Sequence, residues 1–209
     1  MKGVQLSLDY KTIMSVGYDQ DQMLRDILEL HCPRGIDCDA TYGYGGFYQT
    51  IPRPEHCFDI APKKAEAIQA DSRALPLKTK SIRSLMFDPP FVVSNHVQSE
   101  TYVMDRKYGG YRSMTQLREH YRSSIKEFAR VLKRGGVLIV KCQDQCHGRM
   151  NYAIHKEVMD MAEESGFRWV DMFILIARNR FLGAVKKQNH ARKFHSYFLI
   201  FKRLNHEQK

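Results

Sequence analysis

Asp88, Pro89, Pro90 and Phe91 stand together in the run FDPPF. An acid is followed by two residues that lack a backbone N–H and fix their own φ, and then by an aromatic ring. Such a run ends a strand stiffly and leaves a carboxylate and a proline carbonyl as fixed hydrogen-bond acceptors beside a flat apolar face. Upstream, the segment DATYGYGGF carries Asp39, Thr41, Tyr42, Gly43, Gly45 and Gly46. Glycines at this density let a backbone approach a ligand closely and take positive φ without strain. Two further acids follow, Asp59 before Ile60 and Asp71 before Ser72.

These residues belong to one site only if the elements around them bring them together. Met23, Ile27 and Leu30 recur at helical spacing over 19–31, and Pro33 ends that helix. GIDCDATYGYGGFY reads as a short strand entering the glycine loop. EHCFDI (55–60), EAIQAD (66–71) and SIRSLMFDPPF supply three more strands. The stripe of Leu117, Tyr121, Ile125, Phe128 and Leu132 marks a helix expected to stop at Gly135-Gly136, and VLIVKCQ follows as a buried strand. AIHKEVMDMAEESGF is a second long helix closed by Gly166, and RWVDMFILIA and FHSYFLIFKR are two apolar strands in succession.

Strands alternating with helices, then two consecutive strands, predict an α/β fold: a mostly parallel sheet with an antiparallel C-terminal strand. In such sheets ligands bind beyond the carboxyl ends of the strands, where the strand order switches. The glycine loop, Asp59, Asp71 and Asp88 all follow predicted strand ends, so they share one edge. An acid after the second strand suits ribose hydroxyls, and one after the third suits an exocyclic adenine amine. Asp39 is placed for an ammonium group or an ordered water. Together they describe a pocket for an adenosine-containing ligand. Each aspartate alone also suits a helix cap or turn, and the loop has neither the G-x-G-x-x-G spacing nor the lysine of a phosphate-binding loop.

From about residue 19 to residue 203 the chain resembles the S-adenosylmethionine-dependent methyltransferases that modify exocyclic amino groups of nucleobases. The resemblance rests on the glycine loop, both acids, D-P-P-F at Asp88–Phe91, the RVLKRGG helix end and the KFHSYFLIFKR strand. It implies a Rossmann-like methyltransferase fold with a seven-stranded sheet and S-adenosylmethionine as methyl donor. Asp39, Thr41, Tyr42, Gly43, Gly45, Asp59, Ile60, Asp71 and Ser72 become its expected contacts, and Asp88, Pro89, Pro90 and Phe91 the catalytic motif. Aspartate at the first motif position points to adenine N6. DNA is favoured over RNA as the polymer, and a noncatalytic donor-binding module is a third reading.

Residues 92–114 are long, polar and rich in tyrosine, and read as a lid or substrate loop with Lys107, Tyr108, Tyr111 and Arg112 as contacts. A second basic stretch at 178–195 offers Arg178, Arg180, Lys186, Lys187, Arg192 and Lys193. With 33 basic against 23 acidic residues among 209, the formal charge is +10, which suits a polyanionic partner. The length fits a single domain that buries roughly 70% of its unfolded surface, with no room for a separate target-recognition domain. No apolar run reaches the ~18 residues of a membrane span. The N-terminal stretch lacks a signal-peptide pattern. Five cysteines, an odd number, point to reduced thiols and a cytoplasmic setting. Cys142, Cys146 and His147 invite a zinc reading, but no second ligand pair follows, and the expectation is no metal.

Overall fold

A computed structural model of the chain describes residues 12–93, 109–178 and 190–204. Strand β1 (Val16–Gly17) leads into helix α1 (Gln20–His31), and β2 (Cys38–Asp39) into a single 3-10 turn at Gly46–Gln49. Strands β3 (His56–Asp59), β4 (Ile68–Gln69) and β5 (Ile82–Phe87) follow. Helix α2 (Met114–Val131) then runs directly into β6 (Leu132–Cys142). A hairpin of β7 (Gln145–His147) and β8 (Met150–Tyr152) precedes helix α3 (Ile154–Glu164), and β9 (Phe167–Ile176) and β10 (His195–Arg203) close the fold.

The main sheet has the order β1-β9-β10-β6-β5-β2-β3-β4. Every neighbouring pair is parallel except those made by β10, which runs antiparallel to both β6 and β9. The expected mostly parallel sheet with an antiparallel last strand is therefore observed. It has eight strands rather than seven, because Val16 and Gly17 pair with Ile174 and Leu175 along the free edge of β9. Two residues carry too little periodicity to read as a strand. From β2 the chain moves outward to β3 and β4, then crosses back so that β5 flanks β2 on the other side. The switch in strand order thus falls between Asp39 on β2 and Asp88 after β5.

Alternation along the strands divides the core between the two faces. Leu85, Phe87, Leu138, Val140, Leu199 and Phe201 pack with Leu117, Tyr121, Ile125 and Phe128 of α2 and with α3. Met86, Val137, Ile139, Phe198 and Ile200 pack on the other face with Met23, Leu24 and Ile27 of α1. Each such buried side chain contributes about 1.5–3 kcal/mol. The half-exposed Arg118–Glu157 pair between α2 and α3 adds at most about 1 kcal/mol, so apolar packing holds the helices. Leu30, expected on the buried face of α1, is 49% exposed; Leu24 is buried instead. Asp19 caps this helix, accepting from Asp21 N at 2.9 Å and Gln22 N at 3.0 Å.

Helix α2 ends at Val131, four residues before Gly135, and Leu132 already pairs with Ile82 in the sheet. Lys133 to Gly136 then stand opposite the single residue Arg83. Gly135 has φ +70°, and a Cβ on Gly136 would lie 2.8 Å from the Lys133 carbonyl oxygen. The glycine pair builds this bulge rather than the helix end. The β7–β8 hairpin, absent from the sequence reading, turns on Gly148 and Arg149, both at positive φ. It lifts Cys146 to the surface while Cys142 is buried in the sheet. Among the described residues no helix is long and apolar enough to cross a membrane.

Candidate active site at the switch point of the sheet

Where β2 leaves the sheet, Ala40 N donates to the Met86 carbonyl at 3.0 Å and Tyr42 N to the Phe58 carbonyl at 2.9 Å. The chain is thereby held between β5 and β3 as it enters the glycine loop. Asp59, at the end of β3, fastens that loop from the side: one carboxylate oxygen accepts from Gly43 N at 2.8 Å, the other from Ala61 N at 2.8 Å. Gly43 and Gly45 have φ of +53° and +70°. A Cβ on Gly45 would sit 2.7 Å from the Tyr42 hydroxyl, whereas around Gly46 there is open space. Tyr42 stacks on Tyr48 with centroids 5.5 Å apart, and its hydroxyl donates to Glu66 at 3.2 Å. Ile60 is exposed beside Asp59.

Asp39 is only 1% exposed. Its carboxylate accepts from Tyr48 OH at 2.6 Å and from Thr41 N at 2.8 Å. Burial pushes its pKa up to about 7; the Tyr48 and Thr41 bonds oppose that shift, and the nearby Asp88 charge adds to it. Asp39 is thus an internal brace of the loop, with its oxygens taken up by the protein.

Asp71 accepts from Arg73 N and is ion-paired with the Arg73 guanidinium, which holds the carboxyl below its usual range. The adjacent Ser72 hydroxyl is buried, 2.8 Å from His120 Nε2 and 2.8 Å from Ser124 Oγ. His120 Nδ1 is hydrogen-bonded to the Tyr111 hydroxyl. Burial, followed by Arg73, pushes His120 down to about 4, so the ring is neutral near pH 7. A neutral imidazole donates from one nitrogen and accepts at the other. Tyr111, His120, Ser72 and Ser124 therefore form one chain of hydrogen bonds from the loop after β4 to the segment before α2.

Asp88 is the first residue beyond β5. Its backbone N–H donates to Thr41 Oγ1 at 2.7 Å, and its side chain is 24% exposed. Burial raises its pKa, and Lys141 opposes this with Nζ 3.4 Å from Oδ2. Pro89 is buried, while Pro90 and Phe91 are half-buried. Val92 and Val93 then meet Tyr111: Tyr111 N donates to the Val92 carbonyl at 2.8 Å, and Val93 and Tyr111 form an isolated parallel bridge. On α2, under the motif, the Tyr121 hydroxyl is buried with no hydrogen-bond partner among the described residues, and it feels the Asp88 charge.

The structure therefore gathers Asp39, Thr41, Tyr42, Gly43, Gly45, Asp59, Asp71, Ser72 and Asp88–Phe91 along the carboxyl edge of β2 to β5. Tyr111 joins them through its hydroxyl chain, and Arg112 is exposed beside it. Lys107 and Tyr108 lie outside the described residues, as do Arg180, Lys186 and Lys187. Four participants were missed: Tyr48, His120, Tyr121 and Lys141. Lys141 alone had a local signal, as a charged residue inside the buried-type run VLIVKCQ.

The fold is that of S-adenosylmethionine-dependent methyltransferases. A protein from Galdieria sulphuraria, provisionally named a sarcosine dimethylglycine methyltransferase, matches with TM-score 0.56 at 14% identity, over 88% of this chain and 85% of its own. One from Thermotoga maritima, named a SAM-dependent methyltransferase, matches at 0.51 with 15% identity over 88% and 87%. A Thermus thermophilus protein provisionally named a DNA modification methylase, solved with S-adenosyl-L-methionine, gives 0.46 at 16% identity. That match covers 67% of this chain, which spans 56% of the other. No protein-family model and no curated protein matches the sequence. At these identities the likeness establishes the fold, and the chemistry has to be argued from the site.

Proposed function

We propose that the chain is an S-adenosylmethionine-dependent methyltransferase acting on an exocyclic amino group of a nucleobase, with adenine N6 in DNA as the preferred target. The observation that carries this reading is the position of Asp88. Its partly exposed carboxylate, ahead of two prolines and an aromatic ring, stands at the switch point, and its backbone N–H is bonded to Thr41 at the start of the glycine loop.

The loop fits the donor. Gly43 and Gly45 hold backbone in positive φ, and Gly46 faces open space that a side chain would fill. Asp59 keeps further lone pairs for ribose hydroxyls beyond those used by Gly43 and Ala61. Asp71, held ionised by Arg73, is an acceptor for an adenine amine. Bound there, S-adenosylmethionine supplies a methyl group on a cationic sulfur.

The chain's own residues then have to present an amine whose lone pair is delocalised into its ring. The Asp88 carboxylate and the Pro89 carbonyl each accept one N–H, which draws the nitrogen toward tetrahedral geometry. The prolines fix both acceptors, so little reorganisation remains at the transition state. Phe91 offers a ring for the base to stack on, a contact worth roughly 1–3 kcal/mol. A base paired in a duplex has to leave the stack to reach this site. The net charge of +10 favours a phosphate backbone as the wider partner.

The test is transfer of tritiated methyl from the donor to unmethylated DNA and to bulk RNA, followed by base-resolved nucleoside analysis. The expected product is N6-methyladenine from DNA. Asp88→Ala is expected to abolish transfer and leave donor affinity nearly unchanged. Label in RNA alone would move the proposal to that polymer. No label in either polymer would overturn it.

A further inference from the structure

The apolar run of β6 ends in a lysine. Val140 pairs with Phe87, so the next residue on each strand brings Lys141 beside Asp88. The Lys141 side chain is only 12% exposed. Its Nζ lies 4.9 Å from the Phe47 ring centroid and 5.4 Å from that of Phe198. The same nitrogen donates to Gln20 Oε1 at 3.0 Å and approaches Asp88 Oδ2 at 3.4 Å. An ammonium withdrawn from water is costly unless its charge and its N–H groups are met. Here two aromatic faces, an amide oxygen and a carboxylate meet them. The four partners come from the 3-10 turn, β10, α1 and the end of β5, so the ammonium is fixed from several directions.

We infer that Lys141 is a positioning residue for methyl transfer: its ammonium keeps the Asp88 carboxylate ionised and occupies Oδ2, which turns Oδ1 to the incoming amine. This rests on the reading of Asp88 as acceptor of the amine's N–H. The ionised carboxylate serves that role best, because protonation turns one of its two oxygens from an acceptor into a donor.

Burial works against ionisation at this place, and the other titratable groups among the described residues do not help. Asp39 on β2 is a second carboxyl that interacts with Asp88. Tyr121 on α2 and Cys142 on β6 feel the Asp88 charge and are themselves pushed well above their ordinary values by burial, so both stay neutral. Tyr48 is likewise pushed up and spends its hydroxyl on Asp39. Among the described residues, Lys141 is the cation that pulls Asp88 back. Its loss therefore moves the Asp88 titration to higher pH, and activity fails sooner as pH falls.

The test uses the full chain as wild type, Lys141→Met, Lys141→Arg and Gln20→Ala. The Asp88 carboxyl is titrated by carbon NMR without substrate, and its signal is assigned by Asp88→Asn. The pH profile of kcat and the donor Kd are measured alongside. For Lys141→Met the expected result is an Asp88 titration displaced to higher pH, with the acid limb of kcat displaced the same way. At neutral pH kcat should fall about 10²-fold, the scale of one lost preorganised electrostatic contact, with the donor Kd nearly unchanged. Lys141→Arg should restore most of the titration. Gln20→Ala, which loosens the ammonium without opening the core, should shift it less in the same direction. An unchanged Asp88 titration in folded Lys141→Met would overturn the inference, as would an arginine variant that behaves like the methionine one. Should the methionine variant not fold, an unchanged titration in Gln20→Ala would do so. A wild type that labels neither DNA nor RNA would sink the proposed function, whereas the substrate-free titration still decides whether Lys141 sets the charge of Asp88.

Discussion

The Asp88 backbone N–H and the Thr41 hydroxyl are 2.7 Å apart, bonded across the point where the sheet reverses its strand order. Thr41 Oγ1 also lies 3.4 Å from Asp39 Oδ1. One hydroxyl thus joins the brace of the glycine loop to the first residue of the D-P-P-F motif. That side chain adds a direct bond between the donor side and the acceptor side of the proposed reaction, beyond the pairing of β2 with β5.

Thr41→Val keeps the shape of that side chain and removes its oxygen. The Asp88 N–H then loses its acceptor, which costs about 1–3 kcal/mol when the group is buried. The expected outcome is a lower denaturation midpoint together with a fall in kcat larger than the rise in donor KM. Thr41→Ser should recover both. Equal kinetics for Thr41→Val and wild type would show that the bond does not set the geometry.

The Asp39 carboxyl has a folded pKa of about 7, above its ordinary 3.8. A raised acid stabilises the folded state below its unfolded pKa, and that stability is lost as pH rises through the folded value. Wild type should therefore lose unfolding free energy between about pH 4 and pH 7 through this group. Asp39→Asn should lack that part of the slope and gain on wild type as pH rises. Denaturant unfolding of both proteins at pH 5 and pH 8 measures the difference, and a gap that does not grow with pH would refute the assignment.

Gly45 and Gly46 are adjacent but not equivalent. Gly45→Ala places a methyl against Tyr42 at φ +70°, a backbone region that costs roughly 1–2 kcal/mol for a side chain. It should lower stability and weaken donor binding by disturbing the Tyr42–Tyr48 stack. Gly46→Ala meets nothing within 4 Å and should leave the fold intact. Thermal melts separate the two, and matching losses of stability for both would contradict the loop geometry.

Tyr121 carries a buried hydroxyl with no partner among the described residues. Tyr121→Phe removes an unsatisfied group without opening a cavity. It is expected to raise unfolding free energy by about 1 kcal/mol, read from the denaturant midpoint. A drop instead would mean that the hydroxyl is bonded in solution.

Much of this was legible in the chain itself. The glycine loop, Asp59, Asp71 and D-P-P-F could be placed on one edge because each follows a strand, and parallel strands end together. The ends of elements were harder to read. Gly135-Gly136 resembles a helix stop, yet the pair forms a bulge in β6, since Leu132 is already bound to Ile82. Leu30 fits the spacing of α1's apolar face but lies exposed, because the sheet it would need to reach is covered by Leu24 and Ile27.

By itself the sequence determined the alternation of strands and helices, the antiparallel last strand and the acids at the strand ends. Those follow from local patterns of apolar residues and from turn chemistry, which neighbouring residues carry. Only the tertiary structure decided what surrounds each acid. Asp39 became a buried brace, and Asp88 a neighbour of Lys141, which lies 53 residues away in sequence. Burial and charge at a site come from residues brought in by sheet register, and no stretch of sequence contains them.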